Sequence, residues 1–120
     1  MTGIAIKRAY DEASPDDGFR VLVDRLWPRG LTKEEAKIGL WLKDVAPSAD
    51  LRHWFGHNPA RWPEFEDRYR AELADNPAMD ELLAAVGKHK RATLLFAARD
   101  TEHNNAIVLQ AICERRVRRG

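Results

Sequence analysis

Apolar residues along this chain fall into two kinds of pattern, short unbroken runs and longer stretches of helical spacing, with clusters of turn formers between them. Ile4-Ala5-Ile6-Lys7-Arg8 reads as a first strand, and residues 19–26 as a second, built on the β-branched run Val21-Leu22-Val23. Between them lies Asp11-Glu12-Ala13-Ser14-Pro15-Asp16-Asp17-Gly18, a polar loop rich in turn residues. A parallel pairing of neighbouring strands needs a crossover of about a dozen or more residues. The first two strands are thus expected to be antiparallel or non-adjacent.

From residue 31 to residue 88 the pattern turns helical and is punctuated by prolines. Thr32 with Glu35 has the spacing of a capping box for a short helix over 33–37, and Trp41-Leu42-Lys43-Asp44 reads as a turn before Ala46-Pro47. Ser48 caps a helix over 49–55, which Gly56 closes. Pro63 to Ala74 is amphipathic: Phe65, Tyr69 and Leu73 share a face, while Glu64 with Arg68 and Arg68 with Glu72 sit four apart on another. Asn76-Pro77 opens a further helix with Met79, Leu82, Leu83 and Val86 inward.

Ala92-Thr93-Leu94-Leu95-Phe96-Ala97-Ala98 then runs apolar without alternation, as a central strand covered on both faces does. Asp100 or Thr101 is expected to cap the last helix, whose inward stripe is Ala106, Leu109, Ile112 and Cys113. The predicted fold is α/β: a single domain over 1–120 with a short mixed or parallel sheet of about three strands covered by helices.

Composition narrows the function classes. The chain has 120 residues, enough for a core without staples, and one cysteine, which permits neither an internal disulfide nor a multi-thiolate zinc site. Neither a signal-type apolar segment nor a run of about eighteen apolar residues occurs, so a cytoplasmic protein with no membrane partner is expected. Lysine and arginine number 20 against 19 acidic residues, a net charge of +1. That balance argues against specific duplex DNA as a partner, which calls for a basic excess. The one basic cluster, Arg115-Arg116-Val117-Arg118-Arg119, is read as complementing the dipole at a helix end.

Candidate chemistry gathers where the strands end. Asp24, Arg25, Trp27 and Arg29 follow the second strand, and Arg99-Asp100-Thr101-Glu102-His103-Asn104-Asn105 follows the run at 92–98. If those two strands are parallel, both clusters lie on one rim, where open α/β sheets bind ligands. Arginines beside a helix N-terminus suit a phosphate or carboxylate, so a small anionic ligand is the expected partner. Histidine exchanges protons near neutrality, which makes His103 the general acid or base candidate, with Asp24 and Asp100 as its carboxylates. The ordinary alternatives weigh about equally: strand-end polar residues also cap helices and form structural ion pairs. No cofactor and no metal are expected, because Gly56 and Asn58-Pro59 interrupt the helix between His53 and His57. Trp41, Trp54, Phe55, Trp62, Phe65 and Tyr69 interleave with Arg52, Arg61 and Arg68. Such interleaving serves single-stranded nucleic acid or a protein partner, and more often a core whose arginine stems cover aromatic faces.

Residues 19–31, Trp-Leu-Lys-Asp-Val-Ala-Pro-Ser at 41–48, Leu-Arg-His-Trp-Phe-Gly-His at 51–57 and Phe-Glu-Asp-Arg-Tyr-Arg-Ala-Glu-Leu at 65–73 resemble domain of unknown function 488, in its YeaO-like branch. The resemblance spans nearly the whole chain and implies a cytoplasmic α/β protein of bacterial or archaeal type, without implying a particular reaction. The family's other branch typically carries a Cys and a Cys-His-Arg stretch around the last strand and helix. Phe96-Ala97-Ala98 and Glu102-His103-Asn104 have no cysteine, so thiol chemistry does not carry over. A winged-helix regulator, a name sometimes attached to such sequences, does not fit the 92–98 strand. The residues the resemblance stresses include Asp24, Arg25, Trp27, Arg29, Lys33, Arg52, Trp54 and His57. With Asn104, the candidate ligand-binding set is Arg25, Trp27, Arg29, Lys33, Arg52, Trp54, His57 and Asn104.

Overall fold

The structure is a computed structural model that describes residues 3–119, with side chains described over 3–116. Its strands are β1 (Gly3–Arg8), β2 (Phe19–Leu22), β3 (Leu40–Trp41) and β4 (Arg91–Phe96), in the spatial order β1-β4-β2-β3. Every pairing is parallel. β1 and β2 are therefore non-adjacent and flank β4, with both Ile4 and Phe19 in register with Ala92. The sheet has four strands where about three were expected, and is parallel throughout, in keeping with the expected α/β class. Residues 41–44 do not form one turn: Leu40 and Trp41 pair with Val21 and Leu22, and a 3-10 turn follows at Lys43–Val45. A two-residue strand is too short to show a period of two.

The central position of β4 explains its unbroken apolar run. Leu94, Leu95 and Phe96 are each at most 1% exposed, because alternate side chains enter different cores. Val21, Val23, Leu94 and Phe96 join the main core with α2 (Ala49–Phe55), α3 (Trp62–Ala74), α4 (Pro77–Gly87) and α5 (Asn105–Arg119). Leu22, Leu95 and Ala9 form a smaller core, covered by Trp27, Leu31 and Ile38 around α1 (Lys33–Ala36).

Most element ends obey the local chemistry. Thr32 and Glu35 form the full capping box of α1, and the Ser48 hydroxyl accepts the Leu51 N–H at the start of α2. Gly56 stops α2 in the left-handed region, φ 54°. α5 starts later than expected: Asn104 caps it by accepting the Ile107 N–H, while Asp100 caps the preceding turn through the N–H groups of Glu102 and His103. β2 ends at Leu22, yet the Val23 N–H still reaches Leu95 O at 3.1 Å. Leu83 and Ile112 sit half-buried at the margin of the core. Glu64 pairs with Arg68 at 2.5 Å, but Glu72 turns from Arg68 to accept the Ser48 N–H and hydroxyl at 2.9 and 2.5 Å. Within the basic cluster Arg115 and Arg116 are exposed, and the side chains of Val117, Arg118 and Arg119 lie outside the described residues.

A second polar knot fastens the loop between β1 and β2 to the sheet. Asp17, 8% exposed, accepts from Arg20 Nη1 at 2.5 Å, from Lys7 Nζ at 3.1 Å and from the Ser14 N–H at 2.9 Å. Its carbonyl accepts the Thr93 hydroxyl at 2.7 Å. Gly18 beside it is at φ 65°, and a Cβ there would fall 2.4 Å from Arg91 O, so glycine is required. Burial pulls the Asp17 carboxyl upward, but the bonds from Ser14, Lys7 and Arg20 outweigh it and the net displacement is downward. A carboxyl lowered in the fold contributes stability above its unfolded value, near 3.8, and loses it as pH falls through the folded value. Asp17→Ala, which strands a buried arginine, is expected to cost about 3–5 kcal/mol. Urea titrations between neutral pH and pH 3 should also show a weaker acid dependence in the variant than in wild type.

Cys113 has no exposure on α5, and burial, helped by Glu114, pushes its thiol up to about 12. Thiolate is the reactive form. A thiol-specific chromogenic reagent should leave the native protein unmodified at neutral pH and react with one equivalent once urea unfolds it.

Candidate functional site

Parallel strands bring their C-terminal ends to one edge, and the segments that leave β2, β3 and β4 there enclose an open cavity of about 520 Å³. Residues 24–29 after β2 contribute Asp24, Arg25, Trp27 and Arg29. Ala46 and Pro47 come from the loop after β3, and α2 with its trailing turn adds Arg52, His53, Phe55 and His57. The segment after β4 contributes Ala97, Ala98, His103, Asn104 and Asn105, and α3 closes the apolar side with Phe65.

Asp24 is the pivot. Its Oδ2 accepts the Ala97 N–H at 2.9 Å, which continues the β2–β4 ladder beyond the strands, and its Oδ1 accepts Asn105 Nδ2 at 3.1 Å. The Asp24 carbonyl accepts the indole N–H of Trp41 at 2.8 Å, tying β3 to the same residue. Burial raises the Asp24 carboxyl above its ordinary value, against the lowering pull of the Ala97 and Asn105 bonds and of the Arg52 charge. It makes no ion pair with Arg25, whose nearest carboxylate is the exposed Asp44 at 3.9 Å.

The walls are braced from behind. Arg8 donates to Ala98 O and Ala97 O at 3.0 and 3.2 Å and lies over the Tyr10 ring, whose hydroxyl donates to Arg29 O at 2.8 Å. Trp27 donates to Leu31 O at 2.6 Å and meets Trp41 edge to face. In the core, the buried Tyr69 hydroxyl donates to Val45 O at 2.6 Å, next to the Ala46-Pro47 segment of the lining, and burial holds that phenol well above its ordinary range, so it stays a donor. His57 occupies left-handed backbone, φ 57°, immediately after Gly56, and its ring lies 6.4 Å from that of Phe55. His103 contacts Asp100 Oδ2 through Nδ1 at 2.9 Å and packs its ring against Trp62.

The cavity thus gathers Asp24, Arg25, Trp27, Arg29, Arg52, His57, His103 and Asn104. Three candidates stand apart from it. Lys33 is exposed on the first turn of α1, and Asp100 lies behind His103 as its hydrogen-bond partner. Trp54 is half-buried on α2 against the margin of the main core, outside the cavity lining, with Arg61 and Arg68 over its ring at 5.5 and 4.4 Å. Sequence reasoning missed Asn105, His53, Pro47 and Phe65 as lining residues. Asn105 was recoverable from its neighbour: once Asn104 is the cap, the next residue is the first of the helix and faces the strand ends. His53 and His57 both reach the cavity although α2 stops between them. Among the described residues no group of three or more His, Cys, Asp or Glu is placed to hold a metal ion, and no helix is long and apolar enough to cross a membrane.

Comparison with known proteins agrees with the resemblance carried by the motifs. A family model described as the inactive DUF488-N3 subclade matches residues 3–120. Uncharacterized protein Mb3100c of Mycobacterium bovis and uncharacterized protein Rv3073c of Mycobacterium tuberculosis are each 44% identical over 90% of this chain and 91% of their own length. Uncharacterized protein YeaO of Escherichia coli is 42% identical over 88% of this chain and 92% of its own. No solved structure matches. With a family model spanning almost its full length and relatives this close, the chain belongs to the DUF488 family, in its YeaO-like group.

Proposed function

We propose that this protein binds a small anionic ligand in the strand-end cavity, without transforming it. The observation that carries this reading is the convergence of Arg25, Arg29 and Arg52 on one cavity. Among the described residues neither Arg29 nor Arg52 makes an ion pair. Three arginines outnumber the carboxylates near them, Asp24 in the cavity and Asp44 at 3.9 Å from Arg25, and such an excess favours an anion, which their planar forks can grip in a bidentate way. The apolar wall of Pro47, Phe55 and Phe65 leaves room beside the anion for an organic body, and the volume lies in the range of small-molecule sites. Its cytoplasmic setting, on this reading, is where such phosphorylated or carboxylated metabolites are met.

Two observations favour binding over catalysis. No serine, threonine or cysteine lines the cavity, and the matching family model describes an inactive subclade. The Asp100–His103 pair has the geometry of an oriented general base. Turnover of any ligand that depended on His103 would therefore overturn the non-catalytic part of the proposal. The Trp/Arg-rich segment is a weaker candidate for nucleic acid, because both arginines over Trp54 occupy the stacking surface a base would use.

The test is a melting curve with and without inorganic phosphate, at low ionic strength because salt screens exposed charges. Phosphate at about ten times its Kd adds about 1.4 kcal/mol of stability. For a domain of this size that is a rise of about 3–8 °C. Arg29→Ala, at an exposed position, is expected to change basal stability by less than about 1 kcal/mol and to lose most of the phosphate-induced rise. A large basal loss, with no phosphate effect in wild type, would mean that the arginines are structural and no anion site exists.

A further inference from the structure

The floor of the cavity carries chemistry opposite to its rim. Asn105 spends its amide N–H groups on Val23 O at 3.0 Å and Asp24 Oδ1 at 3.1 Å. A flipped amide would set its oxygen against two acceptors, so the orientation is fixed with Oδ1 turned away from them. Among the described residues no donor reaches that Oδ1, and Asn105 lines the cavity. Asp24 beside it accepts a single bond on each oxygen, while a carboxylate offers about four acceptor positions. The two side chains, one hydrogen bond apart, make a contiguous edge that only accepts. Backbone bonds to Val23 and Ala97 hold it in place.

Asn105 Oδ1 is not sealed from solvent, so the edge is open to a ligand that brings hydrogen-bond donors into the cavity. Two kinds of donor could meet it, an ammonium or hydroxyls. The charge balance decides between them. Arg25, Arg29 and Arg52 outnumber Asp24, and Arg52 already acts on the Asp24 charge, so a cation entering the cavity is repelled. Neutral hydroxyls pay no such penalty, and two on adjacent carbons can bond to the two carboxylate oxygens together.

We propose that the ligand is a phosphorylated polyol, with its phosphate held by the arginines at the rim and a vicinal diol held by Asp24 and Asn105 at the floor. This rests on the anion-binding reading above and adds to it the group at the other end of the molecule. Asn105 is then a binding residue, and Asp24 binds ligand as well as joining the strands.

Calorimetric titration with three probes tests this: inorganic phosphate, n-pentyl phosphate and ribose 5-phosphate. The organic probes have similar length and the same anion, and differ in hydroxyls. Ribose 5-phosphate is expected to bind at least about tenfold more tightly than pentyl phosphate, the factor that 1.4 kcal/mol of hydrogen bonding confers. Asp24→Asn, which removes a negative charge and so favours either anion, should nonetheless shrink that preference, read as the ratio of the two organic probes' affinities within the variant. Because Asp24 also joins the strands, the wild-type comparison decides the matter if the variant does not fold. Equal affinities for the organic probes in wild type would overturn the diol site and leave anion binding standing. Failure of all three probes to bind would remove both.

Discussion

One carboxylate holds the end of this sheet together. Asp24 accepts the Ala97 N–H where the β2–β4 ladder has run out, accepts the Asn105 amide at the start of α5, and offers its carbonyl to Trp41, the last residue of β3. The segments after three parallel strands thus diverge from a common fastening. Arg25 and Arg29 leave it on one side and His103 on another, so the cavity between them follows from the pairing itself. Burial raises this carboxyl, so its ionisation works against folding at neutral pH, the reverse of the linkage at Asp17. A purely structural fastener could be an asparagine or a backbone bond. Keeping a charge there fits a group that also meets a ligand.

The two ends of the sheet hold their arginines in opposite ways. Arg20 is 4% exposed and bound to Asp17 and to the Ala36 carbonyl, so its charge is spent on pinning a loop. Arg29 and Arg52 are exposed and have no carboxylate partner among the described residues. The residue type is the same, and only the surroundings differ. Breaking a buried pair leaves a stranded charge, whereas truncating an exposed arginine leaves water in its place.

Much of this was legible along the chain. The unbroken run at 92–98 marked the central strand because only a strand with a core on each side has no polar face. The clusters after residues 23 and 98 marked the cavity because parallel strands deliver their ends to one rim. What stayed hidden depended on long-range geometry. Leu40 and Trp41 gain strand character only by pairing with β2. Asp100 and Asn104 both have cap chemistry, and local sequence does not decide which begins the helix; the contact of Asn105 with Asp24 and Val23 does. Trp54 shares a helix with Arg52, but two positions apart on a helix is a different face, and arginines from the following turn and from α3 cover its ring.

The geometry of the Asp100–His103 pair suits directional binding as well as acid–base chemistry. A carboxylate that orients an imidazole also fixes which nitrogen faces outward, and a fixed nitrogen is a directional hydrogen-bonding group. Packing against Trp62 further restricts the ring. Restraint of this kind lowers the entropy lost when a ligand is gripped, whether or not a proton moves afterwards. His57 shows the same economy in backbone terms, since left-handed backbone is unfavourable for a residue with a Cβ, yet the chain keeps a histidine there at the mouth of the cavity. The proposed site draws its charge from arginines and its direction from the histidines and the Asp24–Asn105 edge.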